Sequence, residues 1–487
     1  MKITPMYING RFTESTSGET MTIINPATEE PIALVPNGTK ADAEQAVTAA
    51  KTAFQSWRQV IGLERCDMLH EAAHKMKAHA SELTELLTLE EGKPLSENEE
   101  ELEWCIGTFD YYAEMARTLR GRVLAPGEQS QFNFVLKEPY GVALCIVPFN
   151  YPLLLMAWKV APALAAGNTV IIKPADTTPL ATLRLAEIAF DHFPPGVVNI
   201  LTGEGARIAE PMVEHPDVPL IAFTGSTAVG QRIATLAAKR VKHTHLELGG
   251  KDAFVIAPDA DIETAVEAVA YASLINTGQV CTSTERVYVP NHLIDSFTTG
   301  LVDFVQGLRL GAGIESTTDV GPMAAGKYRE KVEAHIQDAV SKGAKVLCGG
   351  KRPSSFDRGF YFEPTVIANV NHNMLCMRQE TFGPTIPVMG YNSFDEAIQL
   401  VNDSDYGLGA CVRTNDPRLA KQFFEDVQAG TIWINDPLTD NYGGPFGGYK
   451  MSGNARELGE EGLMSFMETK HVHWDFDDKP KEWWYPY

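Results

Sequence analysis

Apolar residues along this chain change their spacing more than once. Over residues 40–119 they recur at the interval of a helix face, as in Ala43, Ala46, Val47, Ala50, Ala53 and Phe54, within a stretch rich in Ala, Glu and Leu. From Gly141 short strand-like runs take over, at 142–147, 169–172, 197–201 and 220–223. Helix-like stretches at 153–166, 180–189, 205–213 and 229–239 alternate with them. That alternation predicts a parallel sheet with helices on both faces, an α/β fold. A second series follows Glu247, with strands at 253–256 and 287–289 and helices at 262–275 and 293–308, and predicts a second α/β domain. Residues 121–140 and the tail 468–487 read as strands without helices of their own. The tail carries Trp483, Trp484 and Tyr485, and free aromatic side chains of that size are expected to be buried against something.

Composition narrows the classes. A chain of 487 residues exceeds what one core organises, so two or more domains are expected. Hydrophobic residues at 44% and charged residues at 21% suit a globular enzyme, and no apolar run is long enough for a membrane span. The formal charge of −22 disfavours nucleic acid as a partner. Residues 1–13 lack the basic and apolar regions of a secretory leader. The seven cysteines include no Cys-x-x-Cys pair, which points to reduced thiols instead of a disulfide framework or a cysteine zinc site. A cytoplasmic protein without membrane partners is the expectation.

Candidate chemistry sits where these runs end. Glu247-Leu248-Gly249-Gly250-Lys251 and Gly278-Gln279-Val280-Cys281 set a carboxylate and a thiol among glycines. A cysteine that attacks carbon needs its thiolate and a narrow approach, and the covalent intermediate then needs something to activate water. A lone cysteine is more often a small buried hydrophobe, so the pair calls for corroboration. Further motifs follow strand-like runs: Pro148-Phe149-Asn150-Tyr151-Pro152, Lys173-Pro174-Ala175-Asp176, and Phe223-Thr224-Gly225-Ser226-Thr227-Ala228-Val229-Gly230. Beyond them stand Glu380-Thr381-Phe382-Gly383-Pro384 and Pro445-Phe446-Gly447-Gly448-Tyr449-Lys450-Met451-Ser452-Gly453. In order, and across nearly the whole chain, these resemble the aldehyde dehydrogenase superfamily.

The resemblance implies a Rossmann-type cofactor domain from residues 1–118 and 140–246 and an α/β catalytic domain at 247–464. It also implies a small β oligomerisation flap, 119–139 with 465–487, that joins subunits into a homodimer or homotetramer. It casts Cys281 as the nucleophile that forms a thiohemiacetal and then a thioester, Glu247 as the base that activates water, and Asn150 with the Cys281 N–H as the oxyanion hole. NAD is the implied cofactor, held by Lys173 on the adenosine ribose, Gly225, Ser226 and Gly230 at the pyrophosphate, Glu380 and Phe382 at the nicotinamide, and Pro148 and Phe149 beside them. Asp176 near the ribose 2′-hydroxyl favours NAD over NADP, its shortness relative to the usual Glu leaving NADP possible. Glu100, Glu101 and Trp104 fall at the mouth of the substrate channel, and Tyr151, Trp158, Tyr271, Ile275 and Phe446 along it. Acids and aromatics there suit an aminoaldehyde or betaine-aldehyde-like substrate. Trp158 stands where succinate-semialdehyde enzymes commonly place an arginine, which lends less support to an anionic aldehyde, while simple aliphatic or aromatic aldehydes stay open.

Other readings compete. Phe149, Tyr151 and Ala455 depart from the commonest residues of the superfamily, though none removes a reacting group. Gly203-Glu204-Gly205 lacks the third glycine of Gly-x-Gly-x-x-Gly. His70-Glu71-Ala72-Ala73-His74 matches a zinc-protease pattern, against the plainer alternative of an amphipathic helix, and no metal is expected. A CoA-acylating enzyme would lack Glu247, and a cysteine hydrolase would want a histidine for Cys281.

Overall fold

The computed structural model describes residues 3–486. Its first sheet runs His243–Leu248, Leu220–Gly225, Val142–Ile146, Thr169–Lys173, Val198–Ile200, and is finished by the antiparallel pair Met6–Ile8 and Arg11–Thr13. The first five strands are parallel. Val142–Ile146 and Thr169–Lys173 are buried along their whole length, which is why they read as unbroken apolar runs. Chain order reverses at Val142–Ile146, which has its successor Thr169–Lys173 on one side and the later Leu220–Gly225 on the other. A crevice opens at the carboxyl ends of strands at such a reversal, and ligands of open α/β sheets bind there.

A second seven-stranded sheet runs Lys345–Cys348, Thr365–Ala368, Thr385–Tyr391, Thr284–Pro290, Asp252–Ile256, Gly409–Arg413, Thr431–Ile434, parallel except at the Lys345–Cys348 edge. The chain passes between the two sheets from Leu248 to Asp252. Glu247 belongs to the last strand of the first sheet, so the expected division at residues 246 and 247 falls inside a strand. Residues 446–457 then return to that strand. Glu247 bridges Gly453, and Asn454 Oδ1 accepts the Leu246 N–H at 2.9 Å, clipping the two sheets together.

The helical region resolves into Lys40–Trp57, Gly62–Ala78, Ala80–Glu91 and Leu95–Thr118. Thr39 caps the first in a reciprocal box with Asp42, and Gly92 in the left-handed conformation ends the third. Gln131–Pro139 pairs with Met467–Asp475 and with Arg122–Leu124 in a separate three-stranded antiparallel sheet without helices of its own. Expected burial of the tail aromatics is not met within one chain: Trp483, Trp484 and Tyr485 are 60%, 55% and 83% exposed. Among the described residues no helix is long and apolar enough to cross a membrane.

Candidate active site

The chain reaches Cys281 through a turn of left-handed backbone. Asn276, Thr277 and Gly278 have φ of 48°, 57° and 72°. For a residue with a side chain that conformation costs about 1–2 kcal/mol. Hydrogen bonds from several elements hold it: Asn276 N–H to Glu97 Oε2 at 2.8 Å, Asn276 Nδ2 to the Asn150 carbonyl at 2.8 Å, and Thr277 Oγ1 to the Gly321 carbonyl at 3.0 Å. A Cβ on Gly278 would lie 2.2 Å from the Gly383 carbonyl oxygen, so glycine is demanded by space as well as by φ.

Cys281 emerges from this turn partly buried, immediately before the strand Thr284–Pro290. Burial raises its thiol pKa well above the ordinary range, and the charges of Glu247, Asp252, Asp440 and Glu380 add to the effect. Positive charge beside the sulfur would act the other way and favour the thiolate. Asn150 follows the strand Val142–Ile146, and its Nδ2 donates to the Gln279 carbonyl at 2.9 Å. A side-chain amide has two N–H bonds, so one stays available for an oxyanion.

Glu247 is fully buried at the end of its strand, and neither carboxylate oxygen has a hydrogen-bond partner at good geometry. Burial first, then the charge of Glu457, drives its pKa well above the carboxylate range, with Lys159 and Thr224 drawing it back in part. A carboxyl held this way is a stronger base, once ionised, than an exposed carboxylate. Behind it lies a polar seam that sequence reasoning missed. Lys159 Nζ donates to Thr224 Oγ1 at 2.5 Å and pairs with Glu457, which faces His245 Nε2 at 3.4 Å. Lys159 sits in an otherwise apolar helix, and nothing in its neighbours along the chain advertises a buried ion pair.

The crevice of the first sheet is a cleft of about 430 Å³. Its walls include Pro148, Phe149, Lys173, Asp176, Gly225, Ser226, Glu380 and Phe382, and it reaches Glu247 and Cys281. Lys173 Nζ is paired with Asp176, whose carboxylate is partly exposed at the rim. Ser226 precedes the helix Thr227–Ala238 and its side chain caps nothing, so first-turn N–H groups are left to take phosphate oxygens. A Cβ on Gly225 would come within 2.6 Å of the Phe223 ring. These features fit a dinucleotide: ribose partners at one end, an uncapped helix start in the middle, and Glu380 with Phe382 at the reacting end. Phe149 stacks on Tyr328 with ring centres 4.3 Å apart and meets Phe382 edge-on. The Phe382 and Thr381 N–H groups each donate at 2.7 Å to Glu285, itself paired with buried Lys251. Gly230 does not line the cleft. It lies within the helix, where a Cβ would strike Leu248 at 2.4 Å, so it serves close helix-to-strand packing. Gly205 and Tyr328 do line the cleft and were not foreseen.

A second, narrower tunnel meets the first at Cys281. It brings together Glu100, Glu101, Trp104, Tyr151, Trp158, Tyr271, Ile275 and Phe446, and adds Glu97, Leu438 and Asp440. Trp158 and Phe446 lie 5.0 Å apart by ring centres, and Trp104 packs on Tyr442 at 4.4 Å. Glu100 is exposed, whereas Glu101, expected near the entrance, is buried. On the helix Leu95–Thr118 it points inward, paired with buried Lys93, and its Oε1 accepts the Leu153 and Leu154 N–H groups at 2.8 and 3.2 Å. Lys93 in turn lies 3.8 Å over the Tyr151 ring and donates to the Asn150 carbonyl at 3.1 Å. Burial raises the Glu97 and Asp440 pKa values to about 7.

Neither cleft is lined by histidine, which removes support for a cysteine hydrolase. The rings of His70 and His74 do not make a joint site. His70 bonds Asp110 at 2.7 Å and Glu114 at 2.9 Å on the neighbouring helix, and His74 is absent from the one possible ligand group among the described residues, Cys66, His70 and Glu114.

The sequence model of the aldehyde dehydrogenase family matches residues 12–472. The chain is 40% identical to aminoaldehyde dehydrogenase 1, peroxisomal, of Malus domestica, over 98% of this chain and 97% of that protein. It is 39% identical to retinaldehyde dehydrogenase 3 of Mus musculus, over 98% and 94%. Among solved structures it is similar to betaine aldehyde dehydrogenase from Staphylococcus aureus in complex with NAD+, with a TM-score of 0.97 and 38% identity over 99% of this chain and 96% of that one.

Proposed function

The chain belongs to the aldehyde dehydrogenase family, and from that premise we propose that the aldehyde it oxidises with NAD carries a cationic group. The supporting observation is the lining of the tunnel: Glu97, Glu100, Glu101 and Asp440 stand among aromatic rings, with no Lys, Arg or His. Rings and carboxylates together attract an ammonium or quaternary ammonium, and an anionic semialdehyde finds no counter-charge there. Similarity to relatives alone does not choose the substrate, since aminoaldehyde and retinaldehyde enzymes lie at nearly the same identity.

In the reaction, the thiol proton passes to water and the Cys281 sulfur adds, as the thiolate, to the carbonyl carbon. The second Asn150 amide hydrogen and the Cys281 N–H receive the developing oxyanion. Bound NAD supplies a hydride acceptor, and Lys173, Asp176, Ser226 and Glu380 are the residues that hold it. Collapse of the thiohemiacetal leaves an acyl thioester on Cys281. Glu247, once deprotonated, takes a proton from water, the hydroxide adds to the thioester carbon, and the C–S bond breaks to free the acid and the thiol. Glu247 is what separates this outcome from transfer to a thiol acceptor.

The test is reduced-nicotinamide absorbance with purified enzyme, NAD and four aldehydes: betaine aldehyde, 4-aminobutanal, hexanal and succinate semialdehyde. The cationic pair is expected to give the highest kcat/KM, with an advantage that shrinks as salt screens the exposed Glu100. Equal efficiency across the panel overturns the reading.

Two coarser expectations complete it. The three-stranded sheet turns Phe132, Phe134 and Leu136 outward opposite Trp474, Val472 and Lys470, and this apolar face pairs subunits as a homodimer or homotetramer. Seven free cysteines, none in a disulfide, favour a reducing, cytoplasmic setting.

A further inference from the structure

The four carboxylates of the tunnel are not equivalent. Glu101 is committed to Lys93 and to the Leu153 and Leu154 N–H groups. Glu97 is committed to the Asn276 N–H and so to the left-handed turn. Glu100 lies in water, where a single charge is weakened by screening. Asp440 alone is partly buried while its side chain makes no hydrogen bond or ion pair among the described residues.

The loop that carries it, 435–445, is well fixed. Trp433 Nε1 donates to the Thr439 carbonyl at 2.8 Å on one side of Asp440. On the other side Asn441 Oδ1 accepts the Gly443 N–H at 2.8 Å and Tyr442 packs on Trp104. Leu438, left-handed at φ 63°, packs against the core. A fixed loop thus holds a bare carboxylate in the same tunnel as Cys281, close enough to influence that thiol. Shielding a carboxylate without a partner is unfavourable, and a cationic ligand would remove the penalty.

We infer that Asp440 is the specificity-determining carboxylate of this enzyme, pairing with the ammonium or quaternary ammonium of an aldehyde whose carbonyl carbon lies at Cys281. The inference rests on the cationic-substrate reading above and deepens it. Because Asp440 stands along the tunnel with Cys281 and not at the exposed mouth with Glu100, it favours a cation separated from the carbonyl by a short spacer.

The experiment compares two aldehydes of the same shape that differ in charge, betaine aldehyde and 3,3-dimethylbutanal, in wild type, Asp440→Asn and Glu100→Gln. The readout is the ratio of kcat/KM for the cation to that for its neutral isostere. Differences in aldehyde hydration cancel when each variant is referred to wild type. Asp440→Asn is expected to lower the ratio at least tenfold, mainly through KM for betaine aldehyde, with Glu100→Gln lowering it less. Asp440→Ser serves as the second variant should the amide disturb the loop, and circular dichroism checks both folds. A wild type that favours the cation together with an unchanged ratio in both Asp440 variants overturns the inference and leaves the substrate reading standing. A wild type that does not distinguish the two aldehydes overturns both.

Discussion

Glu247 is a fully buried carboxyl group, in a neighbourhood where Glu457 and Glu380 share its sign. Its chemistry follows from that setting. A base has to be ionised to act, and because the pKa is raised, Glu247 holds its proton through the range where an exposed carboxylate has lost it. Turnover limited by thioester hydrolysis should therefore fall as pH drops through a pKa well above the ordinary carboxylate value, and rise above it. Glu247→Gln should abolish this dependence and lower steady-state turnover by about 10²–10⁴-fold. A first equivalent of NADH should still appear, since acylation does not require the activated water. Rapid-mixing absorbance from pH 6 to 9 measures both, and wild-type steady-state rates in the variant would remove Glu247 from the role of base.

At the scale of elements, the left-handed turn before Cys281 shows best how the fold positions the chemistry. Gly278→Ala should force a positive φ on alanine and drive a methyl group into the Gly383 carbonyl. The expected result is a loss of about 2 kcal/mol or more of stability, seen as a lower thermal midpoint, with turnover reduced more than tenfold. An unchanged midpoint and rate would show that the turn relaxes freely. Elements of this kind mark where sequence reading stops. Strands such as Val142–Ile146 were legible because burial on both faces leaves an unbroken apolar run, and the motifs were legible because glycines and prolines crowd where strands end. Inward Glu101, packed Gly230 and the Lys159–Glu457 pair were not. On a helix, neighbouring acids look alike until a partner such as Lys93 selects one, and that partner comes from another part of the fold. Asp440 was missed for a related reason, since the loop 435–445 has no periodicity and only its closure over the tunnel gives it meaning.

For the whole molecule, the outward face of Gln131–Pro139 and Met467–Asp475 is the place where one chain looks incomplete. Phe132 and Trp474 are cross-strand partners and both are exposed, on a protein of net charge −22. Replacing both with serine should lower the solution mass toward that of a single chain at micromolar concentration, measured by light scattering, while wild type runs as a dimer or tetramer. A monomeric wild type would assign this face no part in assembly.

Cys281 borders both the dinucleotide cleft and the aldehyde tunnel. One sulfur atom is thus served by two separate passages, and traffic in one need not wait for the other. The aldehyde can be seated while the dinucleotide remains in place, and the acid can depart without passing the adenosine end. An enzyme with a single doorway would have to exchange its reactants in turn; here both meet at a wall they share, and the proposed nucleophile is that wall.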